Sequence, residues 1–189
     1  MSTSPATTAS PATVSTWNID PAHSAAEFKV RHMMISNVKG KFNGISGTLV
    51  RNEADPTACK IEATIPANTL TTGDEQRDGH LKSPDFLDVE KFPTITFKSV
   101  SVRVTGSGEH EVTGELTIHG VTKVVTLAVD GPSAPAKDPW GNMRIGLSAT
   151  GKINRKDFGL NWNSALETGG VLVGEEVTIT LDVQFIKAA

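Results

Sequence analysis

Val177-Thr178-Ile179-Thr180-Leu181-Asp182-Val183-Gln184-Phe185 decides the fold class. Val, Ile, Leu, Val and Phe occupy alternate positions, with Thr, Thr, Asp and Gln between them. A period of two puts the apolar set on one face of a strand and the polar set on the other. The same pattern recurs outward from this stretch. Ala26, Phe28 and Val30 alternate with Glu27, Lys29 and Arg31, and Cys59, Ile61, Ala63 and Ile65 with Lys60, Glu62 and Thr64. Met143, Ile145, Leu147 and Ala149 make another such face. One apolar face per strand favours an antiparallel sheet. Gly106-Ser107-Gly108 separates a strand near Ile95–Val104 from one near Val112–Ile118, and His119-Gly120 reads as a tight hairpin. The Pro- and Gly-rich loop Gly131–Gly141 precedes the Met143 strand. The reading is about eight strands.

One stretch departs from that period. Thr72-Gly73-Asp74-Glu75 has the spacing of a capping box, with Thr72 as the cap. Asp74 with Arg77 and Asp78 with Lys82 can pair at helical spacing, and Pro84 ends the segment. One short helix is expected over about residues 73–83, held to the sheet by ion pairs among Arg77, Asp78 and Asp88. The strands must bury their apolar faces and protect their edges. Closure into a barrel does both, and a two-sheet sandwich is the competing architecture.

Composition bounds the function. The chain has 189 residues, 38% hydrophobic and 21% charged, which suits one globular domain. Its 18 Lys and Arg against 21 Asp and Glu, a net charge of −3, argue against a general nucleic-acid binder. Cys59 is the single cysteine, so an intramolecular disulfide and a CxxC site are both excluded. Residues 1–15 are Ser, Thr, Ala and Pro with almost no large apolar side chain, and are expected to form a disordered tail before one domain at 16–187. They lack the charged start and apolar run of a secretory signal. No run approaches the ~20 apolar residues of a membrane-spanning helix. The expectation is a soluble, cytoplasmic protein with no stable membrane insertion.

The body of the chain carries a family resemblance. Trp17-Asn18-Ile19-Asp20-Pro21-Ala22-His23-Ser24 resembles the start of the YceI-like, polyisoprenoid-binding family, and Val38-Lys39-Gly40-Lys41-Phe42 continues the likeness. Arg77-Asp78-Gly79-His80-Leu81 resembles the family's RDxHL element. Phe92-Pro93-Thr94-Ile95-Thr96-Phe97, Gly114–Lys123, Arg155–Leu160 and Val173–Val177 follow in order, so the likeness spans nearly everything after residue 15. The departures are Trp17 where Tyr is common and the lack of an export signal found in many members. The resemblance implies an all-β, eight-stranded antiparallel lipocalin-like barrel around an elongated apolar pocket. It further implies non-catalytic binding, storage or transport of a long-chain isoprenoid, a quinone or polyprenyl lipid, or a similar amphiphile, and a homodimer. An enzyme acting on a lipid-like substrate in the same cavity, and a stress-response protein with a filled barrel, are the alternatives.

Strand parity and aromatic placement set the expected ligand-binding residues: Phe28, Val30, Met33, Met34, Ile35, Phe42, Phe86, Phe92, Phe97, Lys123, Phe158 and Leu160. Lys123 shares the parity of Val121, Val125 and Leu127, so regular pleating aims it inward, toward a phosphate or carbonyl head group. The competing account has a bulge or its flexible stem turn it to solvent. Arg155-Lys156-Asp157 is either a second polar mouth or a solvated loop, and Trp140 and Trp162 either flank an entrance or plug the core. No two of His23, His32, His80, His110 and His119 have the spacing of a helical zinc motif, so separate structural hydrogen bonds are expected and no metal. His23-Ser24 lacks a nucleophile-elbow context, and no catalytic residue or cofactor is expected.

Overall fold

The computed structural model describes residues 13–189. Most of the expected N-terminal tail, residues 1–12, lies outside the described residues, and the chain is strand from Val14. Eleven strands follow: β1 (Val14–Ile19), β2 (Ala25–His32), β3 (Ser36–Phe42), β4 (Ser46–Asn52), β5 (Lys60–Pro66), β6 (Thr94–Gly106), β7 (Glu109–Ile118), β8 (Val121–Asp130), β9 (Ala136–Lys137), β10 (Met143–Asn154) and β11 (Val173–Lys187). Among the described residues there is one α-helix, α1 (Glu75–Lys82). β1, β4, β5, β6, β7, β8, β10 and β11 pair in that order and close on themselves through β10–β11. All these pairings are antiparallel, so the eight-stranded barrel is the architecture and the sandwich is not.

The barrel changes its wall along its length. β11 pairs with β10 from Glu176 to Ile186. Its other edge is shared, with Phe185–Lys187 against β1 and Val173–Asp182 against β2. β1 and β2 are therefore two halves of one bent strand, and β3 and β4 are its returning partner. The bend is built by Asp20-Pro21, which starts a short 3-10 turn with the Asp20 carboxylate accepting from Ala22 N at 3.0 Å. Arg144 on β10 clamps the bend, donating to Asp20 at 2.6 Å and to Asp138 at 2.7 Å. Both carboxyls are held below their usual range, chiefly by that guanidinium, Asp20 at about 2.

Two expectations about the helix need correction. Its N-cap is Asp74, in extended conformation and accepting from Arg77 N at 2.8 Å, not Thr72. Glu75 is already the first helical residue, so the Thr72–Glu75 box cannot form. Thr72 instead donates its N–H and hydroxyl to Asp78 and accepts from Arg77 Nε at 2.7 Å. Burial opposes the Asp78 charge, but the Thr72 bonds outweigh it and keep that carboxyl below its usual value. With Arg77 and Asp78 both directed to Thr72, and Asp88 in a left-handed turn (φ 48°), the expected ion-pair network is not made.

Candidate functional site

The inward faces of the strands enclose a cavity of about 230 Å³. Only Glu27, Thr96 and Arg155 among its lining residues have polar side chains. Phe28, Phe97, Val125, Ile153, Val177 and Ile179 point inward yet are only half-buried, because part of each side chain faces the cavity. Two glycines keep the bore open. A Cβ on Gly40 would fall 2.4 Å from Phe28 Cζ, and one on Gly114 2.4 Å from Phe97 Cζ. The far edge of each ring occupies the space that a Cβ would take, the arrangement in which an aromatic covers a glycine in a sheet.

The two ends are sealed differently. At the floor Trp17, Ile145 and Phe185 pack with Ile19, Leu49 and Val183, and the Trp17 indole N–H donates to Ser15 Oγ at 2.8 Å. Overhead, the segment between β5 and β6 lays Leu70, Leu81, Phe86 and Leu87 across the barrel, joined by Phe158 and Leu160 from the β10–β11 connection. Arg155 secures that roof. It is 4% exposed, and its guanidinium donates to the carbonyls of Gly174, Leu160, Trp162 and Val173 at 2.6–3.2 Å. Burial lowers its pKa, with Glu175 pulling the other way. Arg155 is thus neither solvated nor a free mouth, being spent on backbone, whereas Lys156 and Asp157 beside it are exposed and Lys156 pairs with Glu175 at 2.6 Å.

The expected ligand-binding residues divide into those on the cavity wall and those off it. Phe28, Val30, Phe42, Phe86, Phe97 and Leu160 line the cavity. Phe158 is 1% exposed within the roof cluster but does not reach the lumen. Phe92 stands outside, its ring edge-on to His119 with centroids 4.6 Å apart. Met33, Met34 and Ile35 form the β2–β3 hairpin tip and are 43%, 56% and 75% exposed. With φ of 51° and 64°, Met33 and Met34 make the turn itself, which carries their side chains away from the barrel. Lys123 keeps its inward parity opposite Leu116 but is exposed and off the wall. β8 joins β10 only at Ala128–Asp130, so Lys123 stands beside a splayed seam where its ammonium stays hydrated. The expectation leaves out Val125, Ile153, Val177, Ile179 and Leu181 of β8, β10 and β11, which belong to the wall; the alternation on β11 is the signal that could have found them.

The remaining polar candidates are separate. His23 bonds Asp20 at 2.9 Å, His80 bonds Asp85 at 2.9 Å, and His119 meets the Phe158 carbonyl at 3.3 Å. Among the described residues no three His, Cys, Asp or Glu side chains gather as a ligand set. Ser24 Oγ donates to the Gln184 carbonyl and accepts from Gln184 N, so it ties β11 rather than facing the cavity. Trp162 packs on His80 and Phe86 under the roof, whereas Trp140 is 80% exposed at the other end. Among the described residues no helix is long and apolar enough to cross a membrane.

Known proteins share this architecture. Residues 17–185 match the YceI-like domain. A UPF0312 protein of Staphylococcus aureus strain N315 is 38% identical over 169 residues, covering 89% of this chain and 96% of the relative. The crystal structure of a Campylobacter jejuni YCEI protein superposes with a TM-score of 0.70 at 30% identity, over 85% of this chain and 91% of that one. A polyisoprenoid binding domain from Saccharophagus degradans, implicated in plant cell wall breakdown, has a TM-score of 0.63 at 18% identity, over 91% and 98% of the two chains; at that identity the likeness is one of fold.

Proposed function

The chain belongs to the YceI-like domain family, and on that premise we propose that its barrel binds the hydrocarbon tail of a long-chain isoprenoid or similar amphiphile, as a carrier or store and without chemical change. The observation that carries the reading is the nearly unbroken apolar lining of the cavity. Water is poorly held by such a wall, whereas each buried CH₂ contributes about 0.8 kcal/mol. A cavity of roughly 150 Å³ accommodates one benzene ring. On that scale the 230 Å³ here takes about two five-carbon prenyl units. Burying them would yield at most roughly 8 kcal/mol before ordering costs, which corresponds to micromolar affinity at best. Longer chains require the Phe28 and Phe97 rings to turn or the roof to lift. The Saccharophagus domain, named for polyisoprenoid binding, supports the same ligand class. The engagement of Ser24 and His23 in structural bonds supports a carrier rather than a hydrolase.

Native mass spectrometry of gently purified protein, followed by organic extraction, tests this directly. A stoichiometric prenyl lipid released unchanged is the expected result. Failure of both copurification and a prenyl-quinone titration would overturn the reading.

A further inference from the structure

Below the apolar cavity is a second one, of about 280 Å³, at the end opposite the roof. Ile61, Val112, Val129 and Leu147 line both, so a single layer of side chains separates the two. The lower cavity has a different chemistry: Arg51, Asn52, Cys59 and His110 stand on its wall, with the exposed carboxylate of Glu53 at its edge. Arg51 lies on β4 two residues beyond the buried Leu49, on the same inward parity, and opposite the buried Ser15. His110 shares the parity of Val112. The interior thus passes from hydrocarbon to a polar layer within one strand repeat.

Arg51 differs from the other partly or fully buried arginines. Arg144 spends its guanidinium on two carboxylates and Arg155 on four carbonyls. Arg51 Nη1 is buried with no hydrogen-bond partner, and Arg51 makes no ion pair among the described residues. A buried charged donor left unmatched is costly. The planar guanidinium fork is matched best by two oxygens of one anion.

We propose that Arg51 receives the anionic oxygen head group, a carboxylate or phosphate, of an amphiphile whose tail fills the apolar cavity above it. The assignment rests on the tail-binding reading of that cavity. It places the polar end of the ligand beside β4, away from the roof and from Lys123. The tail passes between Ile61, Val112, Val129 and Leu147, and the head meets the guanidinium.

Full-length protein titrated with farnesoic acid and with farnesol separates the head from the tail. The expected result is about 10-fold tighter binding of the acid. Arg51→Gln should bring the acid down to the alcohol's affinity, and Arg51→Lys should restore part of the ratio. Farnesol binding that persists in the variant also shows that it is folded. If farnesol binds and the ratio survives Arg51→Gln, the head-group assignment falls and the tail-binding reading stands. If inorganic phosphate binds in an Arg51-dependent way while acid and alcohol bind equally, the site takes free anions and the assignment is again overturned. Binding of neither prenyl compound would remove the tail-binding reading and this inference with it.

Discussion

Trp17, Ile145 and Phe185 at the barrel floor keep only 1–2% of their surface exposed, whereas Phe28, Phe97, Val177 and Ile179 above them remain half-buried against a void. Both sets come from strands with the same alternation, and β11 contributes to each. Alternation settles which face is inward and leaves open how full the inside becomes. At the floor, large side chains from the adjacent strands β10, β11 and β1 pack side by side, Ile145 and Ile19 in register with Phe185, and Ile45 and Leu49 close against them. Higher up the β2–β3 pair replaces β1, and Phe28 and Phe97 lie against the wall over Gly40 and Gly114. The floor contributes stability through close packing; the hollow forgoes part of that stability and gains room for a ligand.

Breaking the floor should have the largest effect. Phe185→Ala removes a ring that is 1% exposed and should cost about 3–5 kcal/mol, read as a lowered urea midpoint. Tail binding above should survive in whatever fraction stays folded. Filling the hollow is the converse. In Gly40→Ala the new Cβ meets only side chains, chiefly the Phe28 ring at 2.4 Å, and drives that ring into the lumen. We expect a loss of about 1–3 kcal/mol together with loss of apolar-probe binding. A variant that kept full binding would mean the ring can yield in another direction.

The clamp between the two regions is testable by acid. Arg144 depresses the Asp20 pKa to about 2 from an ordinary 3.8, with burial opposing and His23 and Ala22 assisting. A carboxyl depressed in the folded state stabilises the fold above its unfolded pKa, and the contribution is lost as pH falls through the folded value. About 1–2 kcal/mol should therefore disappear between roughly pH 4 and pH 2. Arg144→Met should flatten that part of the stability–pH curve, which denaturant titration across the range would show. The smallest effect belongs to the hairpin tip. Met34→Gly relieves a left-handed φ of 64° at an exposed side chain, about 1–2 kcal/mol, against about 0.5–1 kcal/mol of added chain entropy, and should stabilise by less than about 1 kcal/mol with ligand binding unchanged.

The strands, their hairpins and the short helix are legible in the sequence because each is written in local periodicity and turn chemistry. The closed barrel follows from the family resemblance and from the need to remove edges. The cavity wall is legible where parity governs, as at Phe28, Val30, Phe42 and Phe97. It is not legible at Met33, Met34 and Ile35, whose apolar character suggests burial although a hairpin tip has no neighbouring strand to cover it. Methionine also gives no signal for the positive φ that the turn requires. Lys123 shows the same limit: its parity reads correctly, but the splaying of β8 from β10 depends on pairings remote in sequence. Arg155 looks like part of a solvated charged loop until four carbonyls, from residues 5 to 19 positions away, converge on it. The inward parity of Arg51 is visible two residues beyond Leu49, yet only the tertiary structure shows that its Nη1 is buried without a partner among the described residues.

By itself the sequence determined the class of elements, their antiparallel arrangement and the apolar face of each strand, since these depend on neighbours two to four residues apart. Tertiary structure decided which inward side chains interlock and which leave space, because that depends on how far apart facing walls stand. It also decided which charges are spent on the fold and that Arg51 keeps a donor without a partner among the described residues. Those distances are set by strand pairings across the whole chain, with Trp17 opposite Lys187 and Phe28 opposite Ile179.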